Sequence, residues 1–269
     1  MMVKNTDLPL VSIIAPMYNI ESFVIETINS VLNQTYSNFE LILIDDKSPD
    51  NTVKEVKNFD DPRIRLIVNE QNLGAGETRN VGIRAATGDM IAFLDADDRW
   101  YPQKLEKQIS FMQETGSAIC YTLYDVIDAN GRVYADCGYI PDTATYHRIL
   151  RRNYIRTSSL LFDVKKVGGK VYFPTIRKRQ DMLLFLDLIK RVGRADLLAE
   201  VTCSYRMHPG GISANKRSVI PYQWAAYRNE EKLPLAYCVF LMAAWFTLAG
   251  AATLRRRMKE RKSRQTLSA

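Results

Sequence analysis

The chain has 269 residues, 25% of them charged and 46% hydrophobic, enough to bury a full core and too apolar for disorder to dominate. Its net charge is +7, but Arg255, Arg256, Arg257, Lys259, Arg261, Lys262 and Arg264 crowd the last fifteen residues behind an apolar segment, a membrane-surface pattern that argues against nucleic acid. The four cysteines (Cys120, Cys137, Cys203, Cys238) form no CxxC pair, so zinc and a disulfide framework are poorly supported and a reducing compartment is expected.

The N-terminal MMVKNTDLPL lacks an apolar core of signal-peptide length, so a cytoplasmic domain is expected. Leu10 to Pro16 reads as a first strand, stopped by Pro16, with a turn at Tyr18 and Asn19. Phe23, Ile28, Val31 and Leu32 fall at helical spacing between Glu21 and Leu32. Phe39 to Ile44 is a second buried strand, ending in Asp45 and Asp46. A short helix over Thr52 to Asn58 and a strand over Ile64 to Val68 follow. Asn72 to Gly76 opens a helix running to about Ala86, and Met90 to Leu94 is the next buried strand. This alternation predicts an α/β fold: a Rossmann-like, doubly wound, mostly parallel central sheet. Ligands then collect beyond the carboxyl ends of the strands, where Tyr18, Asp45, Asp46, Asp95 and Asp97 converge.

Further on, a helix is expected over Pro102 to Glu114 and strands over Ser117 to Val126 and Gly131 to Ala135. Ile155 to Phe162 reads as a strand and Lys165 to Gly169 as a short helix ended by glycine. Arg177, Lys178, Arg179, Gln180 and Asp181 precede an apolar helix over Met182 to Val192; Ala199 to Met207 is a strand, and His208 to Ser213 a loop. Strand directions in this half are mixed, and pattern alone does not give their pairing.

Three carboxylates, Asp95, Asp97 and Asp98, close the strand at Met90 to Leu94. They repel one another and are costly to desolvate, which a hard cation relieves. Asp-x-Asp suits Mg²⁺ or Mn²⁺, and an ion with open positions there can hold a diphosphate. The plainer alternative is that Asp98 is a turn or cap residue ahead of the next helix.

Five segments occur in order: Val11 to Asn19, Leu43 to Ser48, Gly76 to Gly82, Phe93 to Asp98, and Gln180-Asp181. Together they resemble the family 2 glycosyltransferases, with the glycosyltransferase A fold, over roughly residues 9–215. The chain is also similar to bacterial enzymes that build teichuronic acid, capsule or O-antigen units on a lipid carrier. The resemblance implies an inverting, metal-dependent transfer of a sugar from a nucleotide sugar, by likeness a UDP-sugar, to a hydroxyl of a polyprenyl-diphosphate-linked or other glycan acceptor. It implies that Tyr18 and Asp46 hold the nucleobase, that Pro16 and Asn19 shape the first loop, and that Arg79 faces the diphosphate or donor sugar. It further implies that Asp95, with Ala96 beside it, contacts the ribose or sugar, and that Asp97 binds Mn²⁺ or Mg²⁺. Asp181 is the implied general base, where the plain alternative is a helix cap. The family usually has Glu-Asp where this chain has Gln180-Asp181, which puts a second carboxylate in doubt. His208 resembles a late loop that closes on the donor, where a histidine can contact the metal or diphosphate; a surface loop histidine is the alternative. The run Arg177-Lys178-Arg179 is ordinarily a solvated surface and could also meet acceptor phosphates.

The rival reading is a nucleotidyltransferase on a similar sheet, which would want a glycine-rich loop where Pro16 to Asn19 stands. Leu233 to Leu254 is apolar and long enough to span a bilayer, but a span would carry the arginine cluster outward. An interfacial or re-entrant helix is expected instead. The expected organisation is a catalytic domain over 1–225, with nucleotide-sugar half 1–100 and acceptor half 101–225, and a membrane-associating segment over 226–269. The expected location is the cytoplasmic face of the bacterial cell membrane, peripheral or monotopic, with a homo-oligomer among the admissible assemblies.

Overall fold

The computed structural model describes residues 8–208 and 217–247. Strands β1 (Val11–Met17), β2 (Phe39–Asp45), β3 (Ile64–Val68) and β4 (Met90–Phe93) alternate with helices α1 (Glu21–Leu32), α2 (Thr52–Val56) and α3 (Ala75–Ala85). Then come β5 (Arg99–Trp100), α4 (Lys104–Thr115), β6 (Ile119–Ile127), β7 (Val133–Asp136), β8 (Thr143–Thr145) and α5 (Tyr146–Arg151). The chain continues through β9 (Leu161–Asp163), α6 (Gln180–Val192), β10 (Arg194–Arg206) and α7 (Ile220–Ala225) to α8, residues 235–247.

The sheet order is β3-β2-β1-β4-β9-β6-β10-β5. β3, β2, β1 and β4 are mutually parallel, as the alternation requires. Beyond β4 the sheet is mixed: β9 is antiparallel to both β4 and β6, and β10 is parallel to β6. Strand alternation sorts the core into two layers. Ile13, Ala15, Met17, Leu41 and Leu43 face α1 and α4; Ile14, Ile42 and Ile44 face α3, α5 and α6. In α6, buried Leu184, Leu186 and Leu188 each contribute about 1.5–3 kcal/mol.

Pro16 does not stop the first strand. It pairs in register with Ile44 inside β1. Leu10 and Ile14 give their carbonyls to Met90 and Leu94, whereas Met17 gives its carbonyl to Asp46. Even-numbered positions of β1 therefore face β4, whose pairing ends at Phe93, so the missing N–H of Pro16 deprives no partner strand.

The expected strand over Ile155 to Phe162 is short. Thr157–Ser159 is a 3₁₀ turn, and only Leu161–Asp163 joins the sheet. The turn lets the Ser158 carbonyl accept Trp100 Nε1 at 2.9 Å and the Ser159 carbonyl accept Gln108 Nε2 at 3.0 Å. Lys165 to Gly169 is a turn and not a helix, since Gly168 and Gly169 have φ of 80° and 116°. α3 lies close on the sheet: a Cβ at Gly82 would stand 2.5 Å from Ile14 Cγ2 and 2.7 Å from Ile44 Cδ1. All four cysteines are free.

After α7 the chain stays in the same core, where Tyr227, Cys238 and Leu241 are buried with α6. Among the described residues no helix is long and apolar enough to cross a membrane. The end of the apolar segment and the basic tail lie outside the described residues.

Lys104 is a fully buried cation over the Trp100 ring at 4.4 Å, donating to Gln108. Burial pushes its ammonium down to about 8. The unfolded chain thus binds more protons between about 8 and the ordinary lysine value of about 10.4, so the cost is full below 8 and fades as pH rises through that window. Lys104→Met is expected to stabilise the fold by about 1–3 kcal/mol at pH 7, less toward pH 10. Urea unfolding at both pH values measures this, and a variant no more stable than wild type at pH 7 would contradict it.

Candidate active site

The strand ends form one rim. The Asp46 N–H donates to the Met17 carbonyl at 2.8 Å, and the Asn69 N–H to the Asp45 carbonyl at 2.8 Å. Tyr18 is 51% exposed there. Asn19 has φ of 54°, and its N–H donates to Ser48 Oγ at 3.1 Å, so the first two loops are tied together. The Asp46 carboxylate is buried and already has three donors: Asn69 Nδ2 at 2.9 Å, Leu73 N–H at 2.8 Å and Gly74 N–H at 2.8 Å. It staples the loop that opens α3. A carboxylate accepts about four bonds, so one position remains for a ligand.

The acidic loop follows β4. The Arg79 guanidinium donates to Asp95 Oδ1 at 2.5 Å and lies 5.2 Å over the Phe173 ring. The Ala96 carbonyl accepts Thr27 Oγ1 at 2.9 Å. Asp98 makes the turn, its N–H donating to the Asp95 carbonyl at 2.8 Å, but its side chain caps no helix. It accepts Ser158 Oγ at 2.6 Å and the Arg206 N–H at 2.9 Å. Arg206 itself is 2% exposed. Its guanidinium donates to the Asp97 carbonyl at 2.7 Å, the carbonyls of Asp128 and Ala129 at 3.2 Å, and Glu26 at 2.5 Å. These bonds set the end of β10 beside the acidic loop.

His208 follows two residues later. Its Nε2 lies 3.1 Å from Asp97 Oδ2, and its ring packs on Phe23 at 5.0 Å. Burial first, then the charge of Asp95, raises the Asp97 carboxyl above the ordinary range. Asp98 is raised well above it by burial, then by Asp97 and Asp95. Negative charge is in excess here. Among the described residues no three His, Cys, Asp or Glu side chains gather to hold a metal by themselves. One carboxylate oxygen and one imidazole nitrogen converging beside a second carboxylate fit a divalent ion that keeps open positions for phosphate oxygens.

Asp181 is the second residue of α6 and makes no cap bond to its own helix. It accepts Asn153 Nδ2 at 3.1 Å. The neighbouring Gln180 amide rests against α3: a Cβ at Gly76 would meet Gln180 Cδ at 2.6 Å. Asn80 of α3 also clamps Phe173, donating to its carbonyl at 2.9 Å and accepting its N–H at 2.8 Å. So α3 carries Arg79 to Asp95 and, on the same helix, anchors the segment leading to Asp181. The structure thus links Pro16, Tyr18, Asn19 and Asp46 along one rim, and Arg79, Asp95, Ala96, Asp97 and His208 around one loop. Asp181 joins through α3 and not by direct contact. Sequence reasoning missed Arg206, Ser158 and Asn153; an arginine closing a strand, Tyr205-Arg206-Met207, was the only local sign of the first.

Residues 12–171 match the family model described as Glycosyl transferase family 2. Among curated relatives, the chain is 34% identical over 239 residues to the putative teichuronic acid biosynthesis glycosyltransferase TuaG of Bacillus subtilis, covering 88% of this chain and 92% of that one. It is 37% identical over 234 residues to Escherichia coli WfgD, named as a UDP-Glc:alpha-D-GlcNAc-diphosphoundecaprenol beta-1,3-glucosyltransferase, covering 87% and 91%. Among solved structures, S. aureus TarS with UDP-GlcNAc matches with a TM-score of 0.68 at 21% identity, covering 89% of this chain and 72% of that one. A Pyrobaculum calidifontis mannosyltransferase with GDP-Man and Mn²⁺ matches with a TM-score of 0.64 at 18% identity, covering 90% and 70%. Both likenesses are of fold.

Asp46→Asn replaces an acceptor with an amide facing N–H donors. It is expected to destabilise by about 1–3 kcal/mol and to speed hydrogen exchange at the amides of Leu73 and Gly74. Unchanged exchange at both amides would show that Asp46 does not hold this loop.

Proposed function

We infer that this chain, which belongs to glycosyl transferase family 2, is an inverting glycosyltransferase that moves a sugar from a UDP-sugar to a hydroxyl of a polyprenyl-diphosphate-linked acceptor in bacterial surface-polysaccharide synthesis. One observation carries the placement of the chemistry. α3 holds both Arg79, paired with Asp95, and the Gly76 surface on which Gln180 rests beside Asp181. The donor-side charges and a carboxylate at the start of α6 therefore share one support. The name of WfgD agrees with this donor and acceptor class, and that of TuaG with polysaccharide synthesis.

In this reading Tyr18 stacks on the nucleobase from its exposed position, and Asp46 uses its remaining acceptor position on the base edge. Pro16 and Asn19 fix the loop that presents Tyr18. Arg79 meets the donor's phosphates or sugar while holding Asp95 in place, and Ala96 keeps Asp95 and Asp97 apart in the turn. A divalent cation, Mn²⁺ or Mg²⁺, would be held by Asp97 and His208, and when bound supplies positive charge to the departing diphosphate. Asp181, oriented by Asn153, takes the proton of the acceptor hydroxyl. The acceptor oxygen bonds to the anomeric carbon from one face as the bond to the nucleoside diphosphate breaks on the other, which inverts that centre.

The catalytic part is assigned to 1–225, with donor half 1–100 and acceptor half 101–225, and membrane attachment to 226–269. The place is the cytoplasmic face of the cell membrane, peripheral or monotopic. α8 supports this: Leu235, Val239 and Phe246 are exposed at helical spacing away from buried Cys238 and Leu241, and Arg151 lies 6.0 Å over exposed Phe240. Apolar side chains flanked by arginine suit an anionic lipid surface.

Asp181→Asn is expected to keep UDP-sugar binding within about twofold and to lower kcat by about 10²–10⁴. Calorimetric donor titration and a transfer assay on the same preparation separate the two; normal transfer would remove Asp181 from the mechanism. The full chain is also expected to sediment with vesicles containing anionic lipid at low salt. Retention in the supernatant would refute the membrane assignment.

A further inference from the structure

Of the basic run before Asp181, Arg177 is exposed and Lys178 donates to Ser218. Arg179 differs from both. Its Nε is buried without a partner, and among the described residues the guanidinium makes no hydrogen bond and no ion pair. It lies over the Trp245 ring of α8, 5.5 Å from the guanidinium carbon to the ring centre. The residue sits at φ 69°, a left-handed conformation uncommon for arginine, at the N-terminal boundary of α6. Asp181 favours its charge and Arg156 opposes it. Arg156 is itself engaged, 4.0 Å over the Tyr205 ring and 5.3 Å over the Tyr124 ring. Arg179 thus feels one carboxylate and one guanidinium, and that carboxylate already accepts Asn153.

A partly buried guanidinium with no hydrogen-bonded counter-ion is costly to hold, and the cost is recovered when an anion arrives. A guanidinium fork suits phosphate oxygens. The direction of the side chains decides which phosphate. Gln180 turns to α3 and the donor side, whereas Arg179 turns to α8, which carries the exposed apolar face. Arg79, the donor-side arginine, already has Asp95.

We propose that Arg179 binds the diphosphate of the lipid-linked acceptor and so sets the acceptor sugar against Asp181. This rests on the acceptor being a polyprenyl diphosphate. Asp181 is the one carboxylate acting on Arg179, and a diphosphate would bring the guanidinium the anionic oxygens that it lacks. The lipid chain would leave along the exposed face of α8.

The first test uses inorganic pyrophosphate with EDTA and reads thermal unfolding of the full chain. Pyrophosphate is expected to raise the Tm of wild type and of Arg177→Gln, and to leave Arg179→Gln unmoved. Without ligand, Arg179→Gln is expected to melt no lower than wild type, since a partly buried guanidinium with no hydrogen-bonded partner has gone. Should it fail to fold, Arg179→Lys, which keeps the charge without the fork, is expected to show a reduced shift. A full shift in either variant, a shift lost only in Arg79→Gln, or no shift in wild type overturns the proposal. The second test compares transfer from UDP-glucose to an N-acetylglucosamine α-diphosphate alkyl ester and to the phosphate-free glycoside with the same alkyl chain. Arg179→Gln is expected to raise KM for the diphosphate acceptor about tenfold or more, with the donor KM within about twofold and no change for the phosphate-free glycoside. A raised donor KM with an unchanged acceptor KM assigns Arg179 to the donor and overturns the proposal. If wild type transfers to neither acceptor, the substrate reading fails, while the pyrophosphate result still decides whether Arg179 is an anion site.

Discussion

Asp98 is the constraint on which this architecture turns. It is 2% exposed at the end of a buried strand, next to two further carboxylates. Such a group persists only if its lone pairs are filled. Ser158 and the Arg206 N–H fill them, from 60 and 108 residues further along the chain. Three distant segments are thereby tied at one point. With Asp98 turned inward, Asp95 is free to take Arg79 and Asp97 to meet His208. The fold thus separates one structural carboxylate from two that face the site, although the three stand within four residues.

The first hundred residues were legible because each element carries its own signal. Apolar runs of strand length, amphipathic helices and polar turns agree with one another from β1 to β4, and their parallel order follows from the alternation. The alternation also set Tyr18, Asp46, Asp95 and Asp97 at the strand ends, whereas Pro16, Asn19 and Arg79 were legible as site residues only with the family resemblance. Asp46 illustrates the limit: its place on the rim was expected, but its three donors come from the β3–α3 connection, which no local pattern reveals. Pro16 was misjudged because its effect depends on where β4 ends. The second half was harder for the same reason. Buried Ser158 and Ser159 find partners through a tight turn and not a ladder, so an apolar-looking strand became a 3₁₀ turn. Arg206 looks like a surface arginine in sequence and is a buried four-way junction in space.

Fold stability and site chemistry pull in opposite directions at several points. The chain tolerates crowded carboxylates after β4, a buried ammonium at Lys104 and an unneutralised guanidinium at Arg179. Lys104 lies in the core, and its cost is offset by the Gln108 hydrogen bond, the Trp100 ring and packing. The charges near the rim are of opposite sign in two places: negative around Asp95 and Asp97, positive around Arg156 and Arg179. A cation with a donor diphosphate suits the first, and an acceptor diphosphate suits the second. Asp181 adjoins the second, held by Asn153 and set beside α3 through Gln180.

A crystal structure of the full chain with UDP and Mn²⁺ bears most directly on this arrangement. The cation is expected on Asp97 and His208 with phosphate oxygens completing its shell, and the Asp181 carboxylate is expected to face the open space beside the terminal phosphate. A cation bound without Asp97, or an Asp181 side chain directed into a separate cavity, would contradict the account.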